Sequence, residues 1–139
     1  MPPLPVDLML VVSLFGAVVL VYFPFLWVGY ARVTAGYDIS APRAMFDQLP
    51  PYAQRATWAH QNGFEALTIY AVAALSAYVT GVDSTLAVGA AIAFLVARLL
   101  YAFCYIFDQP LLRSLMFAIG SLSSFLLLAL SLQQVWATV

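Results

Sequence analysis

The sequence predicts an all-α integral membrane protein, because of its composition and the length of its apolar runs. Of its 139 residues, 65% are hydrophobic and 8% are charged, and the mean hydropathy is +0.97. A soluble domain, whose surface must be wetted, is far less apolar. Four apolar runs, roughly 8–30, 57–79, 86–107 and 111–135, are each close to the ~20 residues that cross a ~30 Å hydrocarbon core. Since backbone groups in lipid must be hydrogen-bonded within their own segment, we predict one four-helix transmembrane bundle over residues 1–139.

The first apolar run is expected to remain as the first membrane span. No Lys or Arg precedes it, and it is longer than the core of a signal peptide. It ends in aromatic residues of the kind found at a bilayer interface, with Arg32 just beyond them. Residues 34–50 then carry charged residues and prolines, and we predict an irregular surface loop there.

The other two links are short and predict tight antiparallel hairpins, at residues 80–84 and 108–110. Asp83 and Asp108 are placed to accept backbone N–H groups at the start of the next helix. Pro110 lies in a first turn, where its missing N–H costs nothing. Cys104 is the only cysteine and is interpreted as buried packing.

The basic residues are distributed asymmetrically along the predicted bundle. There is no Lys, and all five arginines (32, 43, 55, 98 and 113) map to one end of the bundle or to the membrane half nearest it. By the positive-inside tendency, this end and the 34–50 loop are expected to face the cytoplasm, with both termini on the opposite side.

Hydrophobicity does not explain the polar residues at the start of the second span. On a helix, Arg55, Trp58, Asn62 and Glu65 fall within one sector about 80° wide, while His60 points to the opposite side. We interpret His60 as structural, either capping or contacting a neighbouring subunit.

A second polar group lies at the end of the third span and the start of the fourth. Arg98, Tyr101 and Tyr105 share one helix face, and Arg113 follows the short turn. A charged side chain is costly in the hydrocarbon core, so Glu65 and Arg98 are not expected to face lipid. A structural Glu65–Arg98 ion pair is one interpretation, and the tyrosines have an alternative as interfacial belt residues. The excess of arginines over acidic partners indicates a pocket for an anionic ligand.

Both polar groups resemble signatures of the MAPEG family, the membrane-associated proteins in eicosanoid and glutathione metabolism. The family's helix-two signature is Arg-x-x-Arg-Ala-(His or Gln)-x-Asn-x-x-Glu, and residues 55–65 read Arg-Ala-Thr-Trp-Ala-His-Gln-Asn-Gly-Phe-Glu. A second signature, at the end of helix three and the start of helix four, is matched in part: Arg98 is followed by Tyr105 seven residues later and by Arg113-Ser114 after the short turn. Two positions depart from the pattern: Trp58 replaces the second arginine, and Gln61 replaces a residue that is often basic.

The resemblance implies a homotrimer with glutathione sites between adjacent subunits, open to the cytoplasm. Asn62 and Glu65 would hold the backbone and amino group of the peptide, while Arg98, Tyr105 and Arg113 would surround its carboxylates and sulfur. Arg113 is the expected catalytic group that stabilises the thiolate, with Tyr105 as support and Ser114 as an alternative donor. Further expected contacts of the cofactor are Arg32, Arg55 and Tyr101.

The leading hypothesis is therefore a trimeric glutathione transferase or peroxidase-like enzyme acting on a lipophilic electrophile from the bilayer, with no metal. Its expected partners are its own copies, membrane lipids and the small-molecule substrate, and not nucleic acid. A second hypothesis, favoured by Trp58 and Gln61, is a non-catalytic relative that binds an anionic lipid or peptide or has a structural role. A third is a small proton-coupled exporter, but such exporters carry a glutamate in the first span, and this chain has no acid there after Asp7.

Overall fold

The computed structural model describes residues 5–36 and 38–138, most of which lie in four long α-helices. These are α1 (Val6–Ala35), α2 (Pro51–Val79), α3 (Thr85–Ile106) and α4 (Pro110–Trp136), with a 3-10 helix at Phe46–Gln48 before α2. Helices α1, α3 and α4 are long and apolar enough to cross a membrane. The predictions of an all-α fold and of an integral membrane protein are confirmed.

Helix α2 begins earlier than its apolar run. It starts at Pro51, with Pro50 extended before it, so the proline occupies a first-turn position that needs no N–H donor. The polar residues of the signature therefore lie well inside a continuous helix of 29 residues. Its rise of 1.5 Å per residue gives a length of about 43 Å, more than the hydrocarbon core of a bilayer.

The two short turns differ in how they start the next helix. Ser84 is the N-cap of α3, and its hydroxyl accepts the backbone N–H of Leu86 at 3.2 Å. The prediction that Asp83 caps α3 is wrong, because the helix begins one residue later than that cap requires. Asp108 does not cap α4 either: it adopts a left-handed conformation with φ of 58°, and Gln109 is the N-cap residue. Pro110 does open α4, as predicted.

The helices pack through small side chains and a few large ones. Most alanines of α2 and α3 are buried where the two helices meet the rest of the bundle. Gly63 of α2 lies against α1, and a Cβ atom at this position would lie 3.4 Å from the Val21 Cα. Tyr70 is fully buried, stacks on Phe94 at 3.7 Å and donates to the Ser13 hydroxyl of α1 at 2.6 Å. These contacts fix the depth of α2 relative to α1 and α3.

The loop before α2 is attached to the bundle at one end. Leu49 is buried with Val28 and Ala53 in a cluster that joins the end of α1 to the start of α2. Further out, the hydroxyl and the backbone N–H of Ser40 donate to Asp38, at 2.6 and 2.9 Å. These bonds lower the pKa of the Asp38 carboxyl, because they favour its charged form.

The outer surface of the bundle is strongly apolar. Large hydrophobic side chains such as Phe15, Leu122 and Leu132 are each about two-thirds or more exposed in the single chain. Contiguous apolar surface of this kind is typical of contact with lipid or with other membrane helices.

Candidate functional site

Three side chains from α2 and α3 form a hydrogen-bonded chain near the arginine-rich end of the bundle. Arg98 Nη2 donates to Asn62 Oδ1 at 3.1 Å, and Asn62 Nδ2 donates to Glu65 Oε2 at 3.1 Å. In the described part of the chain, Asn62 thus stands between the two charges, and Glu65 and Arg98 do not form a direct ion pair. Arg98 is 8% exposed, while Glu65 is exposed. The carboxylate therefore retains acceptor capacity for another group.

Two tyrosines and two arginines continue this cluster along α3 to the start of α4. The Arg98 guanidinium lies over the Tyr101 ring at 4.1 Å, and the Arg113 guanidinium lies over the Tyr105 ring at 4.6 Å. The two tyrosine rings meet edge to face with centroids 5.5 Å apart. Each guanidinium is held by a ring face, an arrangement that favours the cation without neutralising it. Positive charge is thereby fixed beside two phenol groups.

An open pocket, here called the polar pocket, lies on the outer side of this cluster. Its lining residues come from α2 and α3 and are Trp58, Gln61, Asn62, Glu65, Tyr101 and Tyr105. Trp58 is 43% exposed and contacts both Phe46 and Tyr105, with ring centroids 5.7 and 6.4 Å apart. The pocket thus presents one carboxylate, two amides and three aromatic rings.

A second cavity, here called the apolar groove, lies between α2, α3 and α4 and shares Asn62 and Glu65 with the polar pocket. It has a volume of about 110 Å³. Asn62, Glu65 and Arg98 lie at its polar end, and its walls are mainly Ile69, Phe94, Phe117, Gly120, Ser121 and Phe125. Gly120 leaves space for the Arg98 side chain, whose Cδ lies 3.5 Å from the position a Cβ would take. Polar and apolar ligand groups can therefore meet at Glu65 and Arg98.

Arg55 has different neighbours from those of the polar pocket. Its Nε and Nη2 donate to the carbonyl oxygen of Ile106 at 3.1 and 3.0 Å, and its Nη1 lies 3.9 Å from Asp108 Oδ2. The guanidinium is thus bound to the turn between α3 and α4. Its predicted contact with a ligand stays a prediction.

Neither the polar pocket nor the apolar groove of this chain is lined by three of the predicted site residues, Arg32, Arg113 and Ser114. The Arg32 guanidinium lies over the Phe25 ring at 5.5 Å in the last turn of α1. The Ser114 hydroxyl donates to the carbonyl of Pro110 at 2.9 Å, next to Arg113 on an exposed turn.

His60 faces α1, on the side of α2 opposite the cluster. Its Nδ1 lies 2.7 Å from the carbonyl oxygen of Val21, so this nitrogen carries the proton and donates. Its ring also contacts Tyr22, Phe25 and Phe64. The structure supports the structural interpretation of His60, here as a contact between two helices of one chain.

The sequence predicted only part of the walls of the two cavities. Trp58 was placed in one helical sector with Asn62 and Glu65, whereas Gln61 was noted only as a departure from a signature, and both line the polar pocket. Phe117 and Ser121 follow Arg113 at helical spacings of four and eight, so the shared face of α4 was a signal that could have found them. The partner face on α2 depends on how the helices pack, which periodicity does not give.

Comparison with known proteins agrees with this architecture. The model of the MAPEG family matches residues 9–133, nearly the whole chain. No curated protein matches the sequence.

Proposed function

Because the chain belongs to the MAPEG family, we propose that it is a membrane glutathione transferase or peroxidase-like enzyme that acts on a lipophilic electrophile. Family membership supports a role in glutathione or eicosanoid metabolism in general. The observation that carries the finer proposal is the meeting of the polar pocket and the apolar groove at Asn62 and Glu65, which line both cavities. A hydrophilic thiol peptide and a lipophilic partner would need such a junction to react.

Glutathione fits the charges around the polar pocket. Its ammonium group would bind Glu65, which is exposed and engages Asn62 through one oxygen. Its carboxylates would bind Arg98 and Arg113, whose planar guanidinium groups suit carboxylates. Tyr101 and Tyr105 hold these guanidinium groups by their ring faces.

Arg113 is the proposed catalytic group, with Tyr105 as support. A free thiol has a pKa of about 8.5, and a guanidinium near the sulfur would favour the thiolate at neutral pH. The thiolate would then attack the electrophilic carbon of the substrate, forming a sulfur–carbon bond as the leaving group departs with its electron pair. Ser114, one residue beyond Arg113, is the alternative donor to the sulfur. The apolar groove would present the lipophilic substrate from the bilayer.

The full site is proposed to form in a homotrimer in which all four long helices of each subunit span the membrane. The polar pocket is open in one chain, and the exposed Glu65 would be costly facing lipid. A neighbouring subunit would cover it. Arg32 does not line this pocket in its own chain, so its contact with glutathione would require a neighbouring copy. Helix α2 would span the membrane together with α1, α3 and α4, and the arginine-rich end would lie in the cytoplasm.

A non-catalytic relative that binds an anionic lipid or peptide is the second candidate. Trp58 and Gln61 favour it, because they leave the lining of the polar pocket without a cation. Arginines contribute charge from behind the tyrosine rings, so an anion would still be attracted.

Titration calorimetry and a conjugation assay on purified protein separate these functions. The proposal predicts saturable binding of glutathione and faster conjugation of a lipophilic chloronitrobenzene than of a water-soluble analogue with the same reactive carbon. Binding without conjugation would support the non-catalytic relative. An absence of glutathione binding would contradict the proposed enzyme.

A further inference from the structure

Arg55 joins the start of α2 to the turn between α3 and α4. All three of its guanidinium nitrogens face that turn: Nε and Nη2 donate to the Ile106 carbonyl, and Nη1 approaches the Asp108 carboxylate. A helix leaves its last carbonyl groups without intrahelical donors. Ile106 is 1% exposed, so its carbonyl needs a protein donor, and Arg55 supplies two N–H groups to it.

The turn that Arg55 contacts is tight and unusual in its backbone. Asp108 has φ of 58°, a left-handed conformation that non-glycine residues seldom adopt, although Asp and Asn tolerate it best. The Gln109 N–H donates to the Cys104 carbonyl at 2.8 Å, and the Arg113 N–H donates to the Gln109 carbonyl at 2.9 Å. Gln109, the N-cap residue of α4, is therefore hydrogen-bonded both back to α3 and forward to the first turn of α4.

This turn connects the two residues of the proposed thiolate site. Tyr105 lies in the last turn of α3, Arg113 lies in the first turn of α4, and the Arg113 guanidinium lies 4.6 Å from the centre of the Tyr105 ring. The relative position of the two side chains depends on the path of the backbone between them. A change in that path would separate the cation from the ring.

We propose that Arg55 is a positioning residue, which fixes the α3–α4 turn and thereby holds Arg113 against Tyr105. Arg55 then acts on the reaction without touching glutathione. The effect of Arg55 on the position of Arg113 does not depend on the proposed function, whereas its effect on catalysis rests on that function. A direct contact of Arg55 with a carboxylate of glutathione is the competing role.

The first test needs no ligand. Because the Arg113 guanidinium lies over an aromatic ring, its side-chain NMR signals should be displaced by the ring current of Tyr105. Arg55→Gln should move these signals towards the values of an exposed arginine, and Arg55→Lys should move them less, since lysine keeps a charge and one hydrogen bond. Arg43→Gln, in the exposed loop, is the matched control and should leave them unchanged.

A second variant protects this test against misfolding. Asp108→Asn retains a residue that tolerates positive φ but removes the charge facing Arg55, so it should shift the Arg113 signals in the same direction by a smaller amount. Unchanged Arg113 signals in the folded Arg55 and Asp108 variants would overturn the proposal.

The third test separates positioning from ligand contact. If Arg55 positions Arg113, Arg55→Lys should lower kcat about tenfold while KM changes less than about twofold. A direct carboxylate contact predicts the opposite pattern, a raised KM with kcat nearly unchanged, and would overturn the proposal. If wild-type protein does not bind glutathione, the proposed function fails, and the NMR result still decides whether Arg55 holds the turn.

Discussion

Replacing Asn62 tests the hydrogen-bonded chain that places Glu65 and Arg98. The Asn62 amide makes two bonds of 3.1 Å, accepting from buried Arg98 and donating to exposed Glu65. Asn62→Ala would remove the acceptor of a guanidinium that is 8% exposed. Leaving such a donor unsatisfied costs about 1–3 kcal/mol, and the bond to exposed Glu65 adds less. We therefore expect Asn62→Ala to lower the free energy of unfolding by about 1–3 kcal/mol.

Asn62→Asp tests whether retaining an acceptor for Arg98 preserves stability. The aspartate keeps an acceptor for Arg98, and their attraction at ~4 Å is about 4 kcal/mol at an effective dielectric constant of 20. It also places a second negative charge beside Glu65, with a repulsion of about 3 kcal/mol at ~5 Å under the same conditions. The two effects nearly cancel, so the aspartate variant should be more stable than the alanine variant.

Unfolding in detergent, followed by circular dichroism, would measure these changes. Gln61→Ala is the matched control, since it truncates the neighbouring exposed amide on the same helix. If Asn62→Ala is as stable as Gln61→Ala, the hydrogen bond between Asn62 and Arg98 does not contribute to the free energy of unfolding. The hydrogen bonds that join Arg98, Asn62 and Glu65 would then not stabilise the fold.

Three further predictions follow from individual contacts. Glu65→Gln should weaken glutathione binding more than folding, because the isostere keeps the volume and loses the charge that faces the ammonium; calorimetry and unfolding on the same samples would check this, and a loss of stability alone would make Glu65 structural. Gln61→Arg should tighten glutathione binding by adding a cation to the polar pocket, and the gain should shrink as salt screens it; a salt-independent or absent gain would show that position 61 does not meet the ligand. Tyr70→Phe should lower stability by about 0.5–1.5 kcal/mol through loss of the bond to Ser13, whereas Tyr78→Phe, about half exposed, should not; equal unfolding curves for the two variants would refute the role of that bond.

The fold class was predictable from sequence because it depends on local properties. Apolar runs of membrane length required helices in lipid, and the spacing of Arg98 and Tyr101 placed them on one face, where the guanidinium does lie over the ring. The first residue of a helix was harder to predict, because neighbouring residues compete for the N-cap position. Asp83 and Ser84 can each cap a helix, and the position of the first turn selects Ser84.

The partners of the charged residues were not predictable, because they depend on contacts between helices. Arg55 shares a helical sector with Asn62 and Glu65, yet its guanidinium reaches a carbonyl 51 residues away along the chain. Glu65 and Arg98 have opposite charges at similar depth, but Asn62 is placed to bond both. Such outcomes follow from side-chain geometry within the packed bundle, and helical periodicity alone does not contain it.

The most direct test of the proposed enzyme is the ionisation of bound glutathione. Thiolate absorbance would be recorded against pH at saturating glutathione, for wild type and Arg113→Leu, with free glutathione as the reference. We expect wild-type protein to lower the pKa of the bound thiol by about two units, equivalent to roughly 2.7 kcal/mol, and Arg113→Leu to reverse most of this shift while glutathione still binds. A wild-type titration curve that coincides with that of free glutathione would contradict thiolate stabilisation, and an unchanged shift in Arg113→Leu would remove Arg113 from the mechanism.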